Sequence, residues 1–392
     1  MSSASVIIHS AVLVDRNRAV PDAWVRFDDG RVAARGTGDS WRDRMPPAAV
    51  TDAHGRYLTP GFLDLHCHGG GGYAVEDGAD AITSLVNTHT AHGTTGMILS
   101  LVSATTDDLV TRLQIIADAS ERDTRVLGSH LEGPFLDTDF RGAHDPSVLR
   151  PLNLATIERL HAGARGTLRQ ITLSPEHEGT FEAIDWLTRA GVRVAVGHTG
   201  ADFDTALAAF NAGASLLTHA FNGMRGIHHR APGPVVAAMT APHVTLELIN
   251  DGVHIHPDVV NLAFAGAPGR IALITDAMAA AGSKDGRYRL GTVEVDVRDG
   301  IARLAGGTAI AGSSLTLDIA LRRAVAGGIP LPMAVAALTA TPATAIGRGE
   351  DLGSLEVGFP ADAVLLDTDL TVTTVWVEGR PVARGDDRVT QL

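Results

Sequence analysis

The sequence predicts an α/β fold: a (β/α)8 TIM-like barrel with a small β-sandwich domain formed by the N- and C-terminal segments. Three observations carry this reading. Eight short apolar runs alternate with helix-like stretches through the middle of the chain. Both ends are rich in strand-forming runs. Histidines and carboxylates recur where the apolar runs stop. A closed barrel needs eight strand–helix units, and strands buried on both faces read as continuous apolar runs.

The elements follow in order. Ser5 to Val14 and Ala23 to Phe27 are β-rich, and Asp28-Asp29-Gly30 after them is a turn signal. The apolar runs are Phe62 to Leu65, Thr95 to Leu101, Val126 to Leu131, Leu168 to Leu173, Val192 to Val196, Ser215 to Thr218, Val244 to Ile249 and Ile271 to Thr275. Helical spacing fills stretches between them, including Ala79 to His92, Thr106 to Ser120, Phe181 to Ala190 and Asp202 to Ala212. Pro134 to Pro151 reads as a long polar loop after the third run. Tyr288 to Leu304 reads as an inserted β-hairpin turning at Asp299-Gly300. Ala363 to Asp367 and Thr371 to Val377 return to strand character, with Glu378-Gly379-Arg380 as a turn. The expected division is residues 1–58 and 350–392 for the β-domain and 59–349 for the barrel, with the hairpin insertion near 287–304.

Composition narrows the function classes. Of 392 residues, 45% are hydrophobic and 20% charged, as in an ordinary globular protein. The formal net charge of -13 argues against nucleic acid as a partner, because a phosphate backbone calls for basic patches. A small phosphorylated ligand needs only a few local donors. Cys67 is the single cysteine, so no intrachain disulfide forms, which fits a reducing, cytoplasmic setting. No signal peptide and no membrane span are expected.

The chemistry-bearing residues sit at run ends. His66 and His68 close the first run, Glu132 the third, His198 the fifth, His219 the sixth and Asp276 the eighth. In a barrel the carboxyl ends of all strands share one rim, so these side chains converge. On a strand, alternate residues share a face, which aims both imidazoles of His66-Cys67-His68 the same way and Cys67 the other. Each residue alone has an ordinary reading: loop histidines, core histidines, a capping aspartate. Together, imidazoles and carboxylates suit a divalent ion such as zinc.

At these residues the chain resembles the amidohydrolase superfamily, and within it the N-acetylglucosamine-6-phosphate deacetylases. The matching stretches are PGFLDLHCHGGGG from Pro60, HLEGPF from His130, GHT from Gly197, THAFNGM from Thr218, DGVHI from Asp251 and LITDAMAAAG from Leu273. GSLEVGFPADAVLLD from Gly353 looks like the superfamily's return to its small β-domain. Many members of the superfamily bridge two metals with a carboxylated lysine on strand four. LRQITLSPE offers no lysine there, and Glu132 fills the alternative position after strand three.

The resemblance implies that Glu132, His198 and His219 hold a principal ion. His66 and His68 would complete a second site, giving one or two ions per subunit, zinc or another divalent ion such as Fe2+. The ion would lower the pKa of a water, and Asp276 would accept its proton and return one to the departing amine. His144, from the polar loop, would help polarise the acetyl carbonyl and contact substrate. Asn222 and the backbone of Gly223 align with phosphate contacts and His254 with a sugar-hydroxyl contact. Arg230 aligns with an arginine that reaches the neighbouring subunit's substrate, which implies a homodimer. The implied reaction converts N-acetyl-D-glucosamine 6-phosphate to glucosamine 6-phosphate and acetate in amino-sugar catabolism. Alternatives are N-acetylgalactosamine 6-phosphate, an N-acyl amino acid, or a non-catalytic scaffold on the same barrel. His130, His177, His228, His229 and His256 read as structural or surface residues.

Overall fold

In the computed structural model, which describes residues 5–44 and 49–382, eight parallel strands form one sheet in sequential order. They are β1 (Phe62–Cys67), β2 (Thr94–Val102), β3 (Val126–Glu132), β4 (Leu168–Leu173), β5 (Arg193–Val196), β6 (Leu216–Leu217), β7 (Thr245–Ile249) and β8 (Ile271–Ile274). Every residue of β1, β2 and β7 is buried, as continuous apolar runs require. The cylinder closes where β8 meets β1: the Asp276 N–H donates to the His66 carbonyl at 2.8 Å, and the His68 N–H to the Ala277 carbonyl at 2.8 Å.

A helix follows each strand: Ala79–Ala91, Thr106–Arg122, Leu154–Gly163, Thr180–Arg189, Phe203–Asn211, Gly233–Thr240, Pro257–Gly266 and Leu317–Ala326. Local chemistry sets their ends. The Thr105 side chain caps the second helix by accepting the Asp108 N–H, and Asp107 and Asp108 complement the positive end of its dipole. Its buried residues Leu109, Leu113, Ile116 and Ala117 fall on one stripe at helical spacing. Asp202 caps the fifth helix in the same way through the Thr205 N–H.

The insertion after β8 has three strands where the sequence suggests two. Gly286–Leu290, Val293–Arg298 and Ile301–Leu304 form an antiparallel sheet. Asp299-Gly300 makes the second turn as expected. Gly291, at φ +55°, supplies the first turn, which the sequence reading passed over. The terminal strands make a separate eight-stranded sheet, ordered from Arg380–Val382 through Ala363–Leu366 and Val6–Asp15 to Arg31–Thr37. Phe27 and Trp376 lie four strands apart in that order, yet their ring centroids are 6.5 Å apart. Adjacent strands are spaced by about 4.8 Å, so a flat sheet would hold the rings far apart. The sheet therefore curls on itself and buries an inner face of Ile8, Val25, Leu58, Leu365 and neighbours, sandwich-fashion.

The chain clusters into two compact units: residues 1–63, 89–96 and 317–392, and residues 64–88 and 97–316. All the candidate site residues belong to the second. Among the described residues no helix is long and apolar enough to cross a membrane.

Candidate active site

Backbone geometry delivers the candidate residues to the carboxyl rim. His66 and Glu132 are rim-end residues of β1 and β3. His198, His219 and Asp276 each stand two residues beyond the last residue of β5, β6 and β8. All three have positive φ, +48°, +27° and +48°. That conformation is uncommon for residues with a side chain, and strain of this kind clusters at functional sites. Here it occurs at three rim positions where the strand pattern has ended.

Glu132 is the centre of the cluster. Its Oε1 lies 3.0 Å from both His198 Nε2 and His219 Nε2. Its Oε2 lies 3.1 Å from His68 Nε2, 3.5 Å from His66 Nε2 and 3.4 Å from His144 Nε2. Asp276 Oδ1 lies 3.3 Å from His68 Nε2 and 3.5 Å from His66 Nε2. Two buried donor groups result, His66–His68–Glu132–Asp276 and Glu132–His198–His219, sharing one carboxylate with an oxygen toward each.

Charge and burial are in tension here. Burial opposes the charged form of His66 and His68, but Glu132 and Asp276 outweigh it, holding His66 well above the usual histidine range and His68 at about 10. Burial likewise disfavours the Asp276 carboxylate, yet His66 and His68 hold it at about 2. The His66 and His68 Nε2 atoms approach to 3.0 Å and those of His198 and His219 to 3.1 Å. Unprotonated nitrogens so placed, beside carboxylate oxygens, converge their lone pairs as metal ligands do. A divalent cation replaces the balancing protons when it binds. The donor set of nitrogen and carboxylate oxygen fits zinc or a similar ion.

The surroundings orient these groups. His198 Nδ1 donates to the Phe140 carbonyl at 2.9 Å, and His68 Nδ1 to the Ser100 carbonyl at 3.1 Å. Gly223, at φ +60°, packs on His198; a Cβ there would stand 3.0 Å from Nδ1. His144 Nδ1 accepts the Ser103 N–H at 3.3 Å, which leaves the neutral ring's proton on Nε2, facing the cavity. Cys67 is fully buried beside Ala277 and Ala281, with its Sγ within 4.8 Å of a ring nitrogen of His89 on the first helix, as an outward-facing strand position predicts, and burial pushes its thiol up to about 12. His130 is a core residue, bonded through Nδ1 to Ser100 Oγ at 2.9 Å and through Nε2 to Thr172 Oγ1 at 2.8 Å.

A cavity of about 440 Å3 opens over the cluster. Glu132, His68, His144, His198, His219, Asn222, Gly223, His254 and Asp276 line it. The inserted sheet and the segment after it add an apolar wall of Leu290, Val293 and Ile310. His254 Nδ1 donates to Asp251 at 2.7 Å; burial resists its charging, but the Asp251 carboxylate wins and raises its pKa. Arg230 is exposed, bonded to His229, and lies outside the lining.

Several participants escaped the sequence reading. Ser103, the Phe140 carbonyl and the apolar wall left no local signal. Glu247 did: it is a carboxylate inside the apolar strand β7, and it is fully buried.

The amidohydrolase family profile matches residues 57–382. The chain is 40% identical over 379 residues to an N-acetylgalactosamine-6-phosphate deacetylase of Escherichia coli O157:H7, covering 95% of this chain and 98% of that one. It is 34% identical to an N-acetylglucosamine-6-phosphate deacetylase of Vibrio furnissii, covering 92% and 91%. In structure it is similar to an aspartate-to-alanine variant of N-acetyl-D-glucosamine-6-phosphate deacetylase from Mycobacterium smegmatis, solved with N-acetyl-D-glucosamine-6-phosphate. That match has a TM-score of 0.92 and 39% identity, covering 97% of this chain and all of the other.

Proposed function

Because the chain belongs to the amidohydrolase family, we propose that it is a metal-dependent deacetylase cleaving N-acetyl-D-glucosamine 6-phosphate to D-glucosamine 6-phosphate and acetate. The observation that carries this reading is the division of Glu132 between two buried donor groups with Asp276 beside one of them. Glu132, His198 and His219 would hold one ion, zinc by preference for this donor set, and His66 and His68 with Glu132 a second. Such an ion supplies Lewis acidity, polarising the acetyl carbonyl and making water a competent nucleophile near neutral pH.

The protein's own groups do the rest. Asp276, held ionised, accepts the proton of the attacking water. It then passes a proton to the sugar nitrogen, because an amine leaves only when protonated. His144, with its proton on Nε2, donates toward the carbonyl oxygen as negative charge grows there. Asn222 and the Gly223 N–H bind phosphate and His254 a sugar hydroxyl. Among the described residues no lysine or arginine lines the cavity, which favours a cation brought by a second subunit and hence a homodimer with Arg230 in that role. The proposed division of labour assigns catalysis to residues 59–349 and the separate β-domain to 1–58 and 350–392. A cytoplasmic setting agrees with the lone buried thiol.

The E. coli O157:H7 relative supports a second reading, the galactosamine epimer as substrate. Acetate release from both N-acetylated hexosamine 6-phosphates, from unphosphorylated N-acetylglucosamine and from N-acyl amino acids decides between them. We expect kcat/KM to be highest for the glucosamine phosphate. Preference for the galactosamine phosphate would move the assignment to that epimer. Release without regard to phosphate would overturn both, and zinc-loaded protein inert on every compound would point to a scaffold.

A further inference from the structure

The two rim histidines of β1 are held differently on their distal sides. His68 and His198 give their Nδ1–H to backbone carbonyls. His66 Nδ1 has no hydrogen-bond partner among the described residues, and neither does Glu247 Oε2. These two atoms face each other across the barrel interior at 3.6 Å, both residues at 0% exposure. The other oxygen of Glu247 is taken: Gln170 Nε2, from β4, donates to Oε1 at 2.8 Å. The carboxylate is thus fixed at one end and open at the other, and the open end meets the ring of a candidate ligand.

A buried carboxylate is costly unless paired. Nothing but His66 is within ion-pair distance of this one among the described residues. A carboxylate that accepts the distal N–H of a metal-binding imidazole fixes its tautomer, aims its other nitrogen and raises its basicity. A carbonyl does this more weakly, since it carries no full charge.

We propose that Glu247 is a positioning residue for the His66–His68–Glu132–Asp276 site: it takes up the Nδ1–H of His66, leaves Nε2 unprotonated toward the ion, and so sets the affinity of that site alone. This rests on the reading that His66 and His68 hold a metal. Gln170 acts through it, by holding the carboxylate in register. Among the described residues no side-chain hydrogen bond or ion pair joins Glu247 to Glu132, His198 or His219, so the second group binds independently of its carboxylate.

The test is zinc binding by the metal-stripped full chain, measured in competition with a chromophoric chelator. Wild type should take up two ions. Glu247→Gln should weaken one of them about 10- to 100-fold and leave the other unchanged. In a His66→Ala background the same change should have no further effect, because the ring it acts on is gone. An unchanged pair of affinities, or equal loss at both sites, overturns the inference while leaving the two-site reading intact. A wild type that binds one ion, unaffected by His66→Ala, overturns the two-site reading and the inference with it. Should Glu247→Gln not fold, the histidine nitrogen resonances of zinc-loaded wild type decide. A ring metallated at Nε2 and protonated at Nδ1, missing in His66→Ala, supports the inference; an Nδ1-metallated His66 overturns it.

Discussion

Asp276 carries the sharpest prediction at the scale of single residues. It touches the ligand cluster through Oδ1 and lines the cavity, so it can meet both the ions and the substrate. Asp276→Asn keeps shape and one acceptor oxygen but cannot take a proton. We expect kcat to fall roughly 100- to 10,000-fold, the usual worth of a positioned general base, while bound zinc falls by at most one of two ions. Turnover at the wild-type rate would remove the proton-shuttle role. The identities of the cluster were legible because histidines and carboxylates at run ends are rare and the barrel rim collects them. Their support was not. The Ser103 N–H fixes His144 and the Phe140 carbonyl fixes His198 through backbone groups that every residue type offers. Nor does any sequence pattern announce the positive φ at His198, His219 and Asp276.

At the scale of elements, the buried strands were readable because two-faced burial writes itself as unbroken apolar runs. The inserted sheet was read one strand short because Gly286–Leu290 is mostly exposed and polar, GRYRL, and so gives little strand signal. The terminal sheet offers a prediction of its own. Asp362, just before the strand Ala363–Leu366, accepts the Glu378 N–H at 2.7 Å and so ties down the turn after the strand Val372–Val377. Burial pushes its carboxyl up to about 6, against the opposing pull of that hydrogen bond. In the unfolded chain it ionises near 3.8. Between those values the folded form keeps a proton that the unfolded form has released, so stability falls as pH rises through the window and is flat above it. The contribution is on the order of 1 kcal/mol per pH unit. Asp362→Asn keeps the acceptor and removes the titration. Its Tm should gain on wild type from pH 4 to pH 6 and hold that gain to pH 8. A constant difference across the range would show that the carboxyl does not titrate there.

At the scale of the whole molecule, the charge balance poses a problem that one subunit does not solve. The chain carries a net -13, and among the described residues the cavity lining contains histidines and carboxylates but no lysine or arginine. A phosphate dianion held there by neutral donors such as Asn222 and the Gly223 N–H gains from a cation outside the lining, because electrostatic complementarity governs both its capture and its retention. Arg230 stands exposed on the segment that follows Asn222 and Gly223. If it serves a neighbouring site across a two-fold axis, Arg230→Ala alone should raise KM for phosphorylated substrate and leave zinc content unchanged. Mixed dimers then distinguish service to the neighbour from service to its own site. An Arg230→Ala subunit retains Asp276, and an Asp276→Asn subunit retains Arg230, so each mixed dimer contains one site with both. Random pairing restores about a quarter of wild-type activity at low substrate. An arginine acting within its own subunit leaves the mixture no better than the sum of the two variants, because no subunit then carries both residues.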